Sequence, residues 1–443
     1  MRDLALVIIC AGLFTLTALY PFVGVYVWTW LTLMDPHRLT YGFARGLPLN
    51  MVVAVLTIGG AALSRERNKL PLDGFAVSVL IFGLWISITT LAAPSPDFTD
   101  PLWSRNIKTL ILVFVTLWLI NSRIRIHGLV WIIAISIAFF GVKGGGFVLL
   151  TGGSNHVLGP EGTMIEDNNC LALACVMVIP LLNYLRLHAE KRMIRLAIMG
   201  AMLLTIASVL GSYSRGGLIA LASMIFLLWL KSRAKLAIAF SAIVVAGLAI
   251  GFMPQQYMDR ISTISDAQHD ESVRGRFDAW QVAWQVALHR PLGAGFDGPR
   301  QPKIWNKYLP GVQNRASHSI YFMVLGEHGF IGFGIYLWII ISGWGNFAKS
   351  RKLCRGNPDL VWAQDLTAAL QASIVGFLIG GAALPMAYYD EFFLILTVGA
   401  ATRHLLEANL NRRPTTDRTI IRERESSSAE VMSTTDASKL PIH

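Results

Sequence analysis

Charge is what this chain has least of. Asp, Glu, Lys and Arg make up 15 % of its 443 residues, while 54 % are hydrophobic. An ordinary soluble domain carries roughly 25 % charged residues, so this chain is too poor in charge to cover a water-facing surface. Cysteine is scarce too, at four residues. Cys10, Cys170 and Cys175 lie in apolar runs, and with Cys354 they form neither a C-x-x-C pair nor a zinc spacing. That argues against a disulfide framework and against a metal site. The short alternating segments of a membrane barrel are missing. So is any internal repeat, which argues against a transporter built from matched halves. The start, Met1-Arg2-Asp3 followed by apolar residues, lacks a small-residue cleavage site and reads as a retained membrane segment.

What is present is a series of apolar runs of roughly 15–24 residues, each near the length that crosses a bilayer as a helix. The expected fold is all-α: a polytopic membrane protein of about 12 transmembrane helices (11 to 13) with one large extracytoplasmic loop. The net charge of +11 is concentrated in short loops, the pattern of positive-inside topology rather than of nucleic-acid binding. Residues 1–48 read as N-terminal membrane segments, broken at Pro21. Residues 49–253 read as a helix bundle, 254–317 as the large outer loop, 318–408 as C-terminal spans and 409–443 as a disordered cytoplasmic tail. Within the bundle, Lys143-Gly144-Gly145-Gly146 interrupts one span. Residues 94–105, with three prolines, read as an outer loop.

The outer loop contains Arg274, Arg276, Arg290, Arg300 and Arg315. Its stretch Ser272–His289 reads as a helix with Phe277, Trp280, Trp284 and Leu288 on one face. That face suits the membrane interface, and Arg274 can pair with Asp278 one turn on. Arg215, in Gly211-Ser212-Tyr213-Ser214-Arg215-Gly216-Gly217, stands at the mouth of a span. There it is either an anion clamp, its planar fork matching phosphate oxygens, or a snorkelling helix-end residue. His318, just before the next span and with Ser317 as its N-cap, is either an acid/base group or structural. Glu166 and Asp167 either face an acceptor or cap the helix that follows, Asp167 being a cap candidate. Lys143 is a further candidate for an anion, or a snorkelling lysine. Asp390 and Glu391 read as solvated turn residues.

Several stretches occur in a recognisable order. They are Ser214-Arg215-Gly216, Gly275-Arg276-Phe277-Asp278-Ala279-Trp280, His289-Arg290-Pro291-Leu292-Gly293-Ala294-Gly295-Phe296, His318-Ser319-Ile320-Tyr321 and Glu327-His328-Gly329-Phe330-Ile331-Gly332. Over about Cys170 to Leu384 the chain resembles the O-antigen ligase/polymerase superfamily of bacterial envelope enzymes. Met1-Arg2-Asp3-Leu4, Pro36–Gly42 and Glu166-Asp167-Asn168-Asn169 resemble the subgroup of O-glycosylation ligases associated with the exosortase A system. The resemblance implies transfer of a glycan from undecaprenyl diphosphate to an acceptor protein or lipid, at the periplasmic face of the inner membrane. It implies neither metal nor cofactor. It gives Arg215, Arg276 and Arg274 to the diphosphate and an acid/base or acceptor-orienting role to His318. A polysaccharide polymerase shares these motifs, and a transporter or a structural membrane subunit remains as the competing class.

Overall fold

In the computed structural model, residues 1–231 and 271–412 are described, except positions 65, 67, 68 and 154, together with Gly247. The expected span at 236–253, the first part of the large loop and nearly all of the tail lie outside the described residues. Those described are helical or irregular, with no strand among them. The helices are α1 (Arg2–Leu19), α2 (Pro21–Leu33), α3 (Leu49–Leu63), α4 (Gly74–Leu91), α5 (Pro96–Leu119), α6 (Arg123–Thr151), α7 (Asn168–His188), α8 (Arg192–Gly211) and α9 (Arg215–Lys231). Then follow α10 (Glu271–His289), α11 (Pro302–Tyr308), α12 (Ile320–Cys354), α13 (Val361–Gly381) and α14 (Asp390–Arg412).

Eight helices among the described residues are long and apolar enough to cross a membrane; α2, α3 and α9 are apolar but shorter. The chain is therefore an all-helical, multi-pass membrane protein. Two sequence expectations are corrected. Residues 96–105 are not loop, because α5 starts at Pro96 and its span-like part covers Thr99–Leu119. Proline is tolerated in a first helical turn, where its missing N–H has no intrahelical partner anyway. Nor does Lys143-Gly144-Gly145-Gly146 break its helix, since α6 runs unbroken from Arg123 to Thr151. A Cβ on Gly145 would collide with the Leu204 carbonyl, and one on Gly144 with Ser208 of α8. These glycines bring two backbones together, as small residues do between membrane helices.

The bundle is built around α7, with 83 % of its apolar window buried against 17 % for α1 at the rim. α7 packs on α6, α8, α9 and α13. At the end opposite the large loop, Asp73 accepts from Ala76 N–H at 2.9 Å and caps α4. The same carboxylate meets Arg403 at 3.2 Å and His404 at 3.4 Å, while Arg403 also donates to Asn346 Oδ1 at 2.9 Å. One half-buried acid thereby ties α4, α12 and α14 together.

Candidate functional site

The loop helix α10 divides into two faces. Ala279, Val282 and Val286 pack with Ala294, Ile304 and Trp305 into a small core separate from that of the bundle. Phe277, Trp284 and Leu288 remain 60 %, 46 % and 52 % exposed. Trp280, expected on the same exposed face, instead lies flat on Phe322 of α12, rings 4.8 Å apart at 7°. Its indole N–H donates to the Ser317 carbonyl at 2.6 Å. It thus holds α10 against the segment that carries His318.

That segment is strained at the expected residue. His318 has φ 41°, a left-handed backbone that costs a non-glycine residue of order 1–3 kcal/mol. α12 begins at Ile320 with Ser319 at the N-cap position and no side-chain cap bond, which corrects the expected cap at Ser317. Half-buried, His318 is held below its usual pKa of 6.5. Burial is the largest cause, followed by the positive charge of Arg276; Asp167 acts in the opposite sense and Arg300 reinforces Arg276. The structure thus brings together the expected Arg276, Asp167 and His318, from three distant stretches, and adds Arg300. Arg315, named in the sequence only as one of the loop's arginines, has its side chain over Gly275, where a Cβ would come within 2.6 Å of its Cδ. Arg274 is exposed beside it. Among the described residues Arg274 does not form the expected ion pair with Asp278.

Arg215 opens α9 and is exposed. The turn before it is tied to the 152–168 loop. Tyr213, at φ 54°, hydrogen-bonds the Gly153 carbonyl, and Asn168 Nδ2 donates to Ser212 O at 2.7 Å. A Cβ on Gly216 would touch Ala383, and one on Gly381 would touch Ile320. The end of α13 therefore bridges the starts of α9 and α12, setting Arg215 and His318 at the same corner of the bundle. Asp167 is the N-cap of α7, accepting from Asn169 N–H at 2.8 Å and Cys170 N–H at 3.3 Å. Glu166 is a turn residue, accepting from Gly162 N–H at 2.7 Å. Lys143 is exposed on α6, and among the described residues no hydrogen bond or ion pair joins it to this cluster.

Two of the recognised stretches meet directly. α12 is broken at Gly329 (φ 70°, ψ −175°). Into that break docks the stretch Pro291–Phe296, with Ala294 N–H donating to Gly326 O at 3.1 Å and Gly295 N–H to Glu327 O at 2.8 Å. A Cβ on Gly329 would strike the Pro291 carbonyl, and one on Gly293 the Glu327 carbonyl. Glu327, fully buried, accepts from Asp297 N–H at 2.8 Å and from the Tyr388 hydroxyl at 2.6 Å. It joins the loop, α12 and the 382–389 segment, and both its oxygens are satisfied. A cavity of about 50 Å³ lies beside it, lined by Arg300, Arg315, Ser317 and Pro385 among others. Asp390 and Glu391, expected to be solvated, are buried at 4 % and 0 % exposure.

Comparison with known proteins gives two matches. Residues 200–337 match the family described as O-Antigen ligase. Residues 1–190 match a family of unknown function, DUF5935. No curated protein matches the chain. The first match covers Arg215, Arg276 and His318 and supports a membrane enzyme of the ligase/polymerase type that uses a lipid-linked glycan. Asp167 falls in the second match, so the cluster draws residues from both.

Proposed function

We propose that this protein transfers a glycan from undecaprenyl diphosphate to an acceptor hydroxyl, in protein O-glycosylation, at the periplasmic face of the inner membrane. One observation carries the reading: Asp167 and Arg276, distant in sequence, both act on His318, at the corner where Arg215 also stands. Departure of the polyprenyl diphosphate builds negative charge. Fixed guanidinium groups at Arg215 and Arg276 stabilise it without reorganising, with Arg274 beside them. His318, kept neutral by burial and by neighbouring arginines, accepts the acceptor's hydroxyl proton as its oxygen attacks the anomeric carbon. Asp167 then faces the imidazolium. The exposed aromatic face of α10 suits contact with lipid and with the polyprenyl chain.

The test supplies purified protein in liposomes with an undecaprenyl-diphosphate glycan and candidate acceptor proteins. Label should pass to protein with the wild type and fall by at least about 100-fold with Arg215→Ala or His318→Ala, the scale of losing a preorganised charge or an acid/base group. Growth of the lipid-linked glycan with no label on protein would make the enzyme a polymerase. Wild-type transfer that survives both substitutions would remove these residues from the chemistry.

A further inference from the structure

A second polar cavity, which the transfer chemistry does not use, is lined by residues within the match to a family of unknown function together with Asp390. It has a volume of about 270 Å³ and lies among α2, the 35–50 turn, α5 and the start of α14. Its mouth and its floor differ in chemistry. Arg38, Arg105 and Lys108 line it with exposed side chains. Asp35 and Asp390 line it from inside, the second almost fully buried and accepting from the Thr109 hydroxyl. The charge of Arg105 reaches both carboxylates.

Two further polar atoms of the lining are buried without a hydrogen-bond partner among the described residues: Asn50 Oδ1 and His37 Nδ1. The other ring nitrogen of His37 is occupied, 3.2 Å from Asp35 Oδ1. Buried polar groups are nearly always satisfied, and an orphan calls for an occupant. Asp35 is itself held in a left-handed backbone (φ 51°, ψ 49°), which keeps its carboxylate at the cavity wall. Polar groups here outnumber what the fold satisfies.

The cavity also shares two chain segments with the His318 corner. Gly162 lines it, and five residues on Asp167 acts on His318. Asp390 lines it, and the same segment carries Tyr388, bonded to Glu327, and Pro385, which lines the cavity under α10. The two sites therefore open at the same end of the bundle.

We infer that this cavity binds one acidic sugar unit, with the sugar's carboxylate on the Arg38, Arg105 and Lys108 rim and its hydroxyls on Asp35, Asp390 and Asn50. A bare anion uses the rim but leaves the hydrogen-bonding capacity of the Asp35, Asp390 and Asn50 floor unmet. A neutral sugar uses the floor but leaves the cations unpaired. A ligand with one acid group and several hydroxyl donors satisfies both. The volume is just under the roughly 300–1,000 Å³ of clefts that take drug-sized ligands, which limits the occupant to about one ring. Trp28 and Pro101 provide apolar wall for the ring's C–H edge. The inference goes beyond the proposed transfer reaction and does not depend on it.

The experiment is direct binding to the full-length protein in phosphatidylcholine nanodiscs, by calorimetry with saturation-transfer NMR. Methyl β-glucuronide, methyl β-glucoside and inorganic phosphate are the probes. The glucuronide should bind saturably, and the glucoside and phosphate should each bind at least about tenfold more weakly. Arg105→Gln and Lys108→Gln, both at exposed positions, should each weaken glucuronide binding by about tenfold, the scale of one charge-assisted hydrogen bond. Asp390→Asn should weaken it too. Arg215→Ala, which removes a group the transfer chemistry needs, should leave glucuronide binding intact, so the two proposals fail separately. Phosphate binding as tight as glucuronide would make this a plain anion site and overturn the inference. So would competition by phosphatidylglycerol placed in the nanodisc, which would make it a lipid-headgroup site. Absence of saturable glucuronide binding, or binding that both rim variants retain, would overturn it as well.

Discussion

At the scale of single residues, His318 shows how little a side chain's identity says without its neighbours. In solution a histidine is half protonated at about pH 6.5. Here burial first, then Arg276 and Arg300, keep it neutral to lower pH, against the pull of Asp167. Because the neutral form is the base, activity should hold below pH 6.5 and fall on a more acidic limb. The signs for two substitutions are opposite. Arg300→Gln removes a positive neighbour, lifts the histidine's pKa and moves the acidic limb of kcat/KM to higher pH. Asp167→Asn keeps an N-capping side chain but removes a negative neighbour, and moves the limb lower. A pH–rate series on the two variants checks this, and shifts in the same direction would take His318 out of the titration.

At the scale of elements, the kinked α12 and the Gly-Ala-Gly stretch are one structural unit. Gly329 sits at φ 70° with the Pro291 carbonyl where a Cβ would be. Alanine there meets both a disfavoured backbone and a collision, so Gly329→Ala should destabilise the protein by about 2 kcal/mol or more. A lowered thermal midpoint in detergent reads it, and an unchanged midpoint would mean the loop is not docked in this break. α10 adds the complementary point: its aromatic residues look equivalent by helical period, yet Trp280 lies flat on Phe322 and bonds Ser317, Trp284 meets Phe330 of the same helix edge-on while staying 46 % exposed, and Phe277 is left 60 % exposed. Periodicity finds the face, but only the partner helix decides which ring it takes.

At the scale of the whole molecule, the ends of the bundle do different work: one carries the polar sites, the other holds helices in register through Asp73. Burial by itself would push that carboxyl up. Hydrogen bonds from His404, the Ala76 N–H and Asn346, with the charge of His404, hold it down at about 2. Its pKa is depressed on folding, so the stabilisation is present above the unfolded value of 3.8 and is lost as pH falls from there toward 2. Discounted for solvent screening it amounts to roughly 1–2 kcal/mol. Asp73→Asn should lower the thermal midpoint at pH 7, and the gap to wild type should close in acid. A gap that persists at pH 2 would mean packing, not charge, sets the effect.

Much of the molecule was legible in the sequence. Run length and scarcity of charge determine an all-helical membrane chain, because an unsatisfied backbone in lipid leaves few alternatives. The order of short stretches pointed to Arg215, Arg276 and His318, and Asp167 read as either a helix cap or an acceptor contact. Tertiary structure alone decided what they are to one another. Asp167 reaches His318 across some 150 residues of chain, and no spacing rule spans that distance. It also decided that Lys143 belongs to a helix whose glycines serve packing, that Glu166 closes a turn, and that Asp390 and Glu391 are buried rather than solvated. Electrostatics and hydrogen bonding act through space over a few ångströms. Local pattern carries the helix, and only the packed bundle carries the encounter of groups brought from its separate parts.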